Sequence, residues 1–287
     1  MIPLRVIMGP TASGKSALAL EYAEKLNGEI VSVDSMQLYR GLEIGTAQPS
    51  AAERRQIPHH LVGVWDIHEK ADVFRYCTAA DAAIGDILSR GRTPILVGGT
   101  GFYFKALLNG LDDLPGDADL RRELDEKYDS PQGEAALRAT LAELDAAAEV
   151  KFRQCRRKMI RALEVRLLSG KSILELQQNN SARRRYDFQA VRLEMPAAKL
   201  NERIALRAEK MLASGWIEEA QRAIDAGLLN TPSAWQAIGY AIISEYLDGK
   251  LKFDQMLEKI ITSTRQYARR QRTWFRHQHP EAAILEC

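Results

Sequence analysis

The sequence predicts an α/β fold, a parallel sheet flanked by helices and interrupted by an inserted all-helical subdomain. Two observations carry the sheet. Short β-branched and aliphatic runs alternate with segments of helical period. Three of those runs end in loops rich in Gly, Ser, Thr or Asp, where parallel sheets gather their functional groups. The insertion rests on a third: from Ala118 to about Leu176 the β-branched residues thin out and helical texture continues without a strand.

Residues 4–8 (LRVIM) form the first strand, and the Gly/Ser-rich loop 9–16 follows it. Leu18, Tyr22 and Leu26 then recur at helical spacing, so residues 16–26 read as a helix. Residues 29–33 are a second strand ending at Asp34, 74–89 a helix, and 94–97 a third strand before Gly98-Gly99-Thr100-Gly101. Around 111–116 (LDDLPG) the texture changes, and an Ala-rich, acidic stretch covers 134–149. Residues 190–195 return the chain to the sheet and stop at Pro196, and helices are expected at 199–213, 215–226, 233–247 and 253–275. The predicted domains are therefore 1–112 with 188–287 for the α/β core, and 113–187 for the helical insertion. The loops after Met8, Asp34 and Thr100 should converge on one crevice.

Composition bounds the function. With 287 residues, 46% of them hydrophobic and 27% charged, the chain is that of a folded, enzyme-sized protein. No apolar run approaches the roughly 18 to 20 residues of a spanning helix, so a membrane partner is not expected. Cys77, Cys155 and Cys287 are odd in number and far apart, which supports neither a disulfide framework nor a zinc site and makes the cytosol the expected compartment. The net charge of +2 hides an asymmetry: residues 1–150 carry 15 Lys+Arg against 23 Asp+Glu, and residues 151–287 carry 25 against 15. The second half is biased towards polyanions.

Gly9-Pro10-Thr11-Ala12-Ser13-Gly14-Lys15-Ser16 matches G-x-x-x-x-G-K-[ST] between a strand and a helix. Backbone N–H groups and the helix N-terminus can surround a phosphate there, Lys15 adds an ammonium, and the Ser16 hydroxyl can ligate Mg²⁺. The ligand expected is a diphosphate or triphosphate, and the sheet is expected to be P-loop NTPase-like. A hydrolytic NTPase usually adds an apolar strand ending in an acid; here the candidate, 95–97, ends in Gly98-Gly99-Thr100. The acidic strand end is Asp34, whose carboxylate could bind metal, take a proton from a bound nucleophile, or cap a turn. Thr100, between glycines, offers a hydroxyl to a developing negative charge, or simply sits in a tight turn.

Near the C-terminus, residues 265–277 interleave Arg265, Arg269, Arg270, Arg272 and Arg276 with Tyr267, Trp274 and Phe275. On a helix Tyr267, Arg270 and Trp274 share one face, while Arg269, Arg272 and Arg276 share another. A second basic cluster comprises Lys151, Arg153, Arg156, Arg157, Lys158 and Arg161. Two basic stripes on a phosphate-binding protein point to a nucleic acid. His59-His60, after Pro58, is expected to lie in a loop with a structural role.

Taken together these motifs resemble the tRNA dimethylallyltransferase (tRNA isopentenyltransferase) family. The resemblance spans nearly the whole chain: 9–16, 33–41 (VDSMQLYRG), 44–47 (IGTA), 58–61 (PHHL), 94–104, 161–165 (RALEV), 238–240 (IGY) and 264–276 occur in the family's order. It implies that the P-loop residues Gly9, Pro10, Thr11, Ala12, Ser13, Gly14, Lys15 and Ser16 hold the diphosphate of dimethylallyl diphosphate, with Mg²⁺ at Ser16, and that no phosphoryl group moves. The acceptor it implies is the N6 amine of the tRNA adenosine 3′-adjacent to the anticodon. Asp34 would take the amine's proton, and Thr100 and Arg207 would stabilise the departing diphosphate. It further implies tRNA contacts at Asp34, Ser35, Met36, Gln37, Thr100, Arg121, Arg157, Lys158, Arg161, Gln236, Gly239, Tyr240, Arg269, Arg270, Arg272 and Arg276. The inserted helices would grip the anticodon stem-loop of a tRNA bound to a monomer. Gln154-Cys155 and Lys158 stand where relatives usually have Asn-Asp and Arg, and Ala241-Ile242 where they have Lys-Glu. The rival readings are an adenylate isopentenyltransferase, a small-molecule P-loop kinase and an RNA-binding NTP switch.

Overall fold

The computed structural model describes residues 3–112, 114–179, 184–279 and 281–287. Asp113, the first residue of the predicted insertion, and residues 180–183 within it lie outside the described residues. The chain divides into two compact units, one made of Met1–Asn109 with Arg185–Cys287 and the other of Gly110–Arg184.

The first unit opens with β1 (Leu4–Met8), α1 (Lys15–Lys25), β2 (Gly28–Val33), α2 (Ala51–Gln56), β3 (His59–His60), α3 (Val73–Ser89), β4 (Thr93–Gly98) and α4 (Gly101–Asn109). The second unit contributes α5 (Ala118–Lys127), α6 (Pro131–Leu144), α7 (Ala146–Phe152), α8 (Arg156–Ser169) and α9 (Ile173–Asn179). The first then resumes with β5 (Phe188–Glu194), α10 (Ala197–Ala213), α11 (Trp216–Asp225), α12 (Tyr240–Leu247), α13 (Phe253–Gln278) and β6 (Ala283–Glu286).

All strand pairs run parallel, in the order β3-β2-β4-β1-β5-β6. Strands of a sheet covered on both faces are apolar throughout, and β1, β2 and β4 are almost wholly buried. Because β2, β4 and β1 are neighbours, the loops at their carboxyl ends lie side by side. The register fixes this closely: Met8 and Val33 both pair with Gly98. A Cβ at Gly98 would collide with the Val33 carbonyl, so only glycine lets these strand ends approach.

Two expectations are corrected. His59-His60 is a short edge strand, not a loop, and the His60 ring bonds the buried Glu29 carboxylate at 2.7 Å. Residues 233–247 are not one helix. A 3-10 turn at Ala234–Gln236 is followed by Gly239 at φ 101°, a left-handed conformation that ends one turn and restarts the chain as α12. Strand β6 was not foreseen.

In the second unit, the caps explain the helix starts: Asp117 accepts from Asp119 N and Leu120 N, Ser130 from Gly133 N, and Asp145 from Ala148 N. Its core is Leu124, Leu137, Leu141, Met159, Ile160 and Leu163, with Tyr128.

Candidate active site

The loop between β1 and α1 is built by backbone freedom at two points. Gly14 takes φ 100° to enter the helix, and Ala12 takes φ 63°. The loop is held from outside by two side chains. Thr11 N donates to Gln271 Oε1 at 2.8 Å, and Arg207 Nη2 donates to Thr11 Oγ1 at 2.6 Å. Lys15 Nζ donates to the Pro10 carbonyl at 2.6 Å. The Ser13 hydroxyl is buried with no hydrogen-bond partner among the described residues, whereas Ser16 is exposed.

Charge is concentrated here. Burial, reinforced by Arg207, pushes the Lys15 ammonium down to about 7 against the pull of Asp34. Burial also lowers Arg207 from its ordinary value, again opposed by Asp34. Two cations beside an acid, partly stripped of water, favour a multiply charged anion.

Asp34 leaves β2 and begins a turn. Its Oδ1 accepts from Met36 N at 2.9 Å and Gln37 N at 3.3 Å, while Oδ2 has no hydrogen-bond partner among the described residues. One oxygen of the carboxylate thus shapes the turn, and the other is left without a partner among the described residues. Thr100 is fixed from both sides: its N–H donates to the Val33 carbonyl at 3.1 Å, and its Oγ1 accepts from Ser35 N at 3.1 Å. Gln37 turns inward, its amide donating to Thr46 O and Ala47 O and accepting from Ser32 Oγ.

Asp34, Thr11 and Arg207 face one cavity of about 280 Å³, together with Ser35, Met36, Gln236, Tyr267 and Arg270. The rest of its wall is largely apolar, with Ile204, Ala208, Met211, Trp216, Ala237 and Ile260. A charged head and a small branched hydrocarbon can be accommodated in one site.

Sequence reasoning missed Glu219 and Trp216. Glu219, 2% exposed, accepts from Ile44 N at 2.7 Å, Gly45 N at 2.9 Å and Tyr240 Oη at 2.7 Å. The Trp216 indole packs so closely that a Cβ at Gly45 or Gly239 would collide with it. Both residues lie on the amphipathic α11, where a glutamate reads as surface. It is buried where two loop amides and the Tyr240 hydroxyl donate to it.

The same geometry corrects two expected RNA contacts. Tyr240 is fully buried with its hydroxyl on Glu219, and Gly239 is buried against Trp216, so neither presents a surface to RNA. Gln236 is exposed and lines the cavity. On α13, Arg270 lines the cavity too and lies 5.9 Å from the Tyr267 ring. Arg269 and Arg272 line a second hollow beside α10, and Arg276 pairs with Glu194 at 3.1 Å.

In the helical unit, Arg157 and Lys158 are exposed. Arg121 and Arg161 both bond the buried Glu164, the former through Nε and Nη2 at 2.8 Å each, the latter at 2.7 Å. Burial works to raise the Glu164 carboxyl, but these arginines and Asp117 N–H outweigh it and hold it below its usual range.

Known proteins place this architecture. The model of the IPP transferase family matches residues 37–278, and that of isopentenyl transferase matches residues 2–61. A tRNA dimethylallyltransferase of Methylococcus capsulatus is 45% identical over 99% of this chain and 92% of its own length. Another, of Corynebacterium jeikeium, is 42% identical over 94% and 87%. The crystal structure of a full-length tRNA isopentenylpyrophosphate transferase from Bacillus halodurans superposes with a TM-score of 0.73, at 35% identity over all of this chain and 90% of that one. A eukaryotic dimethylallyltransferase, captured acting on tRNA, gives 0.86 at 30% identity, covering all of this chain and 74% of that one. With a family model covering most of its length and relatives above 40% identity along nearly all of it, the chain belongs to the IPP transferase family.

Proposed function

We propose that the protein transfers the dimethylallyl group of dimethylallyl diphosphate to the N6 amine of the tRNA adenosine 3′-adjacent to the anticodon, releasing diphosphate. The observation that carries this reading is the single cavity in which the phosphate-loop residue Thr11, Arg207 and the Asp34 carboxylate share walls with Ile204, Met211 and Trp216. That apolar wall beside the carboxylate suits the hydrocarbon of a prenyl donor.

The chemistry follows from the groups. Cleaving the allylic C–O bond sends its electron pair to the diphosphate, and we assign the stabilisation of its growing charge to Arg207, Lys15 and the Thr100 hydroxyl. The exocyclic amine of adenine is a weak nucleophile. As its nitrogen bonds the prenyl carbon it must lose a proton, and Asp34 Oδ2 is the acceptor. Prenyl transferases of this family typically use a divalent metal, and Mg²⁺ takes mostly water and phosphate oxygens, so the exposed Ser16 hydroxyl fits it as a hard oxygen ligand. When bound, the ion would neutralise diphosphate charge. The unpartnered Ser13 hydroxyl suits the same ligand.

The target base sits within a stacked anticodon loop and must be extruded to reach the cavity. We assign the grip on the stem-loop to the helical unit through Arg157, Lys158, Arg121 and Arg161, and further contacts to Ser35, Met36, Gln37 and Gln236 with the α13 arginines. The protein is expected to act as a monomer in the cytoplasm.

Incubating the protein with labelled dimethylallyl diphosphate, Mg²⁺ and either tRNA, AMP or ATP tests the reading. Label on tRNA adenosine supports it. Label on free nucleotide would instead make the protein an adenylate isopentenyltransferase, and phosphate transfer from ATP a kinase.

Two further outcomes are expected. With Lys15 at about 7 in the free protein, most of its amine is neutral at pH 8, and a bound diphosphate raises its proton affinity. Diphosphate binding at pH 8 should therefore take up a proton, read by calorimetry in buffers of different ionisation enthalpy; proton release would contradict the assignment. Arg269→Ala and Arg272→Ala should each weaken tRNA binding and reduce the slope of log K against log salt by about 1. An unchanged slope would mean that the stripe is merely solvated.

A further inference from the structure

Gln271 is 5% exposed and lies in the C-terminal half of α13, a helix whose other polar residues largely face solvent. Its carboxamide spans two loops from different strands. Oε1 accepts from Thr11 N at 2.8 Å, in the phosphate loop after β1. Nε2 donates to the Gly99 carbonyl at 2.9 Å, in the turn after β4 that carries Thr100. The fit is close enough that a Cβ at Gly99 would strike Nε2, and one at Gly101 would strike the Trp274 indole one turn further along α13. Glycine at 99 and 101 is thus explained by the helix seated on the turn.

Each end of the bridge touches a group of the transfer chemistry. Thr11 also receives Arg207 through its hydroxyl, and Thr100 follows Gly99 directly and fixes Ser35 beside Asp34. One side chain therefore links the loop proposed to hold the diphosphate to the turn proposed to stabilise its departure. A carboxamide is the group that does this: it offers an acceptor and a donor, and both loops present the complementary partner. Glutamate would set an oxygen against the Gly99 carbonyl, and asparagine is one methylene too short to reach both.

We infer that Gln271 is a positioning residue for prenyl transfer, setting the distance between the diphosphate loop and Thr100 without touching either substrate. The inference rests on the transfer reaction proposed above. Displacing reacting groups by about 1 Å can cost on the order of 10²-fold in rate.

The test is single-turnover transfer to tRNA by the full chain, with Gln271→Glu and, as a second variant of unchanged charge, Gln271→Asn. The expected result is a rate at least about tenfold below wild type for both, with full reaction amplitude and unchanged tRNA affinity. A wild-type rate in either folded variant would overturn it, and so would a loss confined to amplitude, which marks a fraction of unfolded protein. Wild-type protein that fails to transfer the prenyl group at all refutes the underlying reaction instead, so the two failures are separable.

Discussion

Asp34→Asn is expected to lower turnover by on the order of 10²- to 10⁴-fold while leaving tRNA binding intact. Asparagine keeps an oxygen for Met36 N and Gln37 N, the two bonds that shape the turn, and exchanges only the free Oδ2 for an NH₂ group. The substitution therefore separates the two tasks of the carboxylate. Loss of turn geometry would disturb Ser35 and Thr100 as well, because Ser35 N donates to Thr100 Oγ1. Single-turnover transfer with saturating tRNA measures the chemical step alone, and a rate near that of wild type would remove Asp34 as the base.

Arg207→Ala is expected to reduce the rate of transfer by on the order of 10²- to 10³-fold, the usual loss for a donor aimed at developing charge. Arg207 donates to Thr11 and faces the cavity, so its removal takes away one cation and a strut of the phosphate loop. A second signature follows from its effect on Lys15. Arg207 helps to hold the Lys15 ammonium down, so in its absence Lys15 is more fully protonated at pH 8. The proton taken up on diphosphate binding should then shrink along with the rate. Arg207→Lys restores charge but not the planar fork, and is expected to recover only part of the activity. A variant that loses neither rate nor proton uptake would place Arg207 outside the site.

The residues that these predictions use were legible in the sequence to different degrees, for physical reasons. The P-loop announces itself because its glycines, lysine and serine fall at fixed spacing within eight residues between a strand and a helix. Asp34 was visible as the acid at the end of an apolar strand, yet its position left base, metal ligand and cap open. The structure shows why: the side chain both caps a turn and keeps one oxygen free. Arg207 came only through the family resemblance, since an arginine on a helix face looks solvated until the helix is seated on Thr11.

Gln271 and Glu219 gave no signal. Each is polar on an amphipathic helix and buried against distant groups that need a partner, Thr11 N and the Gly99 carbonyl for one, the Ile44 and Gly45 amides and the Tyr240 hydroxyl for the other. Tyr240 failed in the opposite direction. Its place in a family motif suggested an RNA contact, but the motif is kept together by packing, with the tyrosine hydroxyl closing the Glu219 cluster. The expected helix at 233–247 failed at Gly239, which takes a left-handed conformation and where a Cβ would strike the Trp216 ring, and no local periodicity reports either.

The most direct measurement is a crystal structure with a non-reactive analogue of dimethylallyl diphosphate. The diphosphate should lie on residues 9–16 against Arg207, the hydrocarbon against Ile204, Met211 and Trp216, and the allylic carbon should face Asp34 Oδ2. An analogue bound elsewhere, or seated with its hydrocarbon turned away from Asp34, would contradict the account.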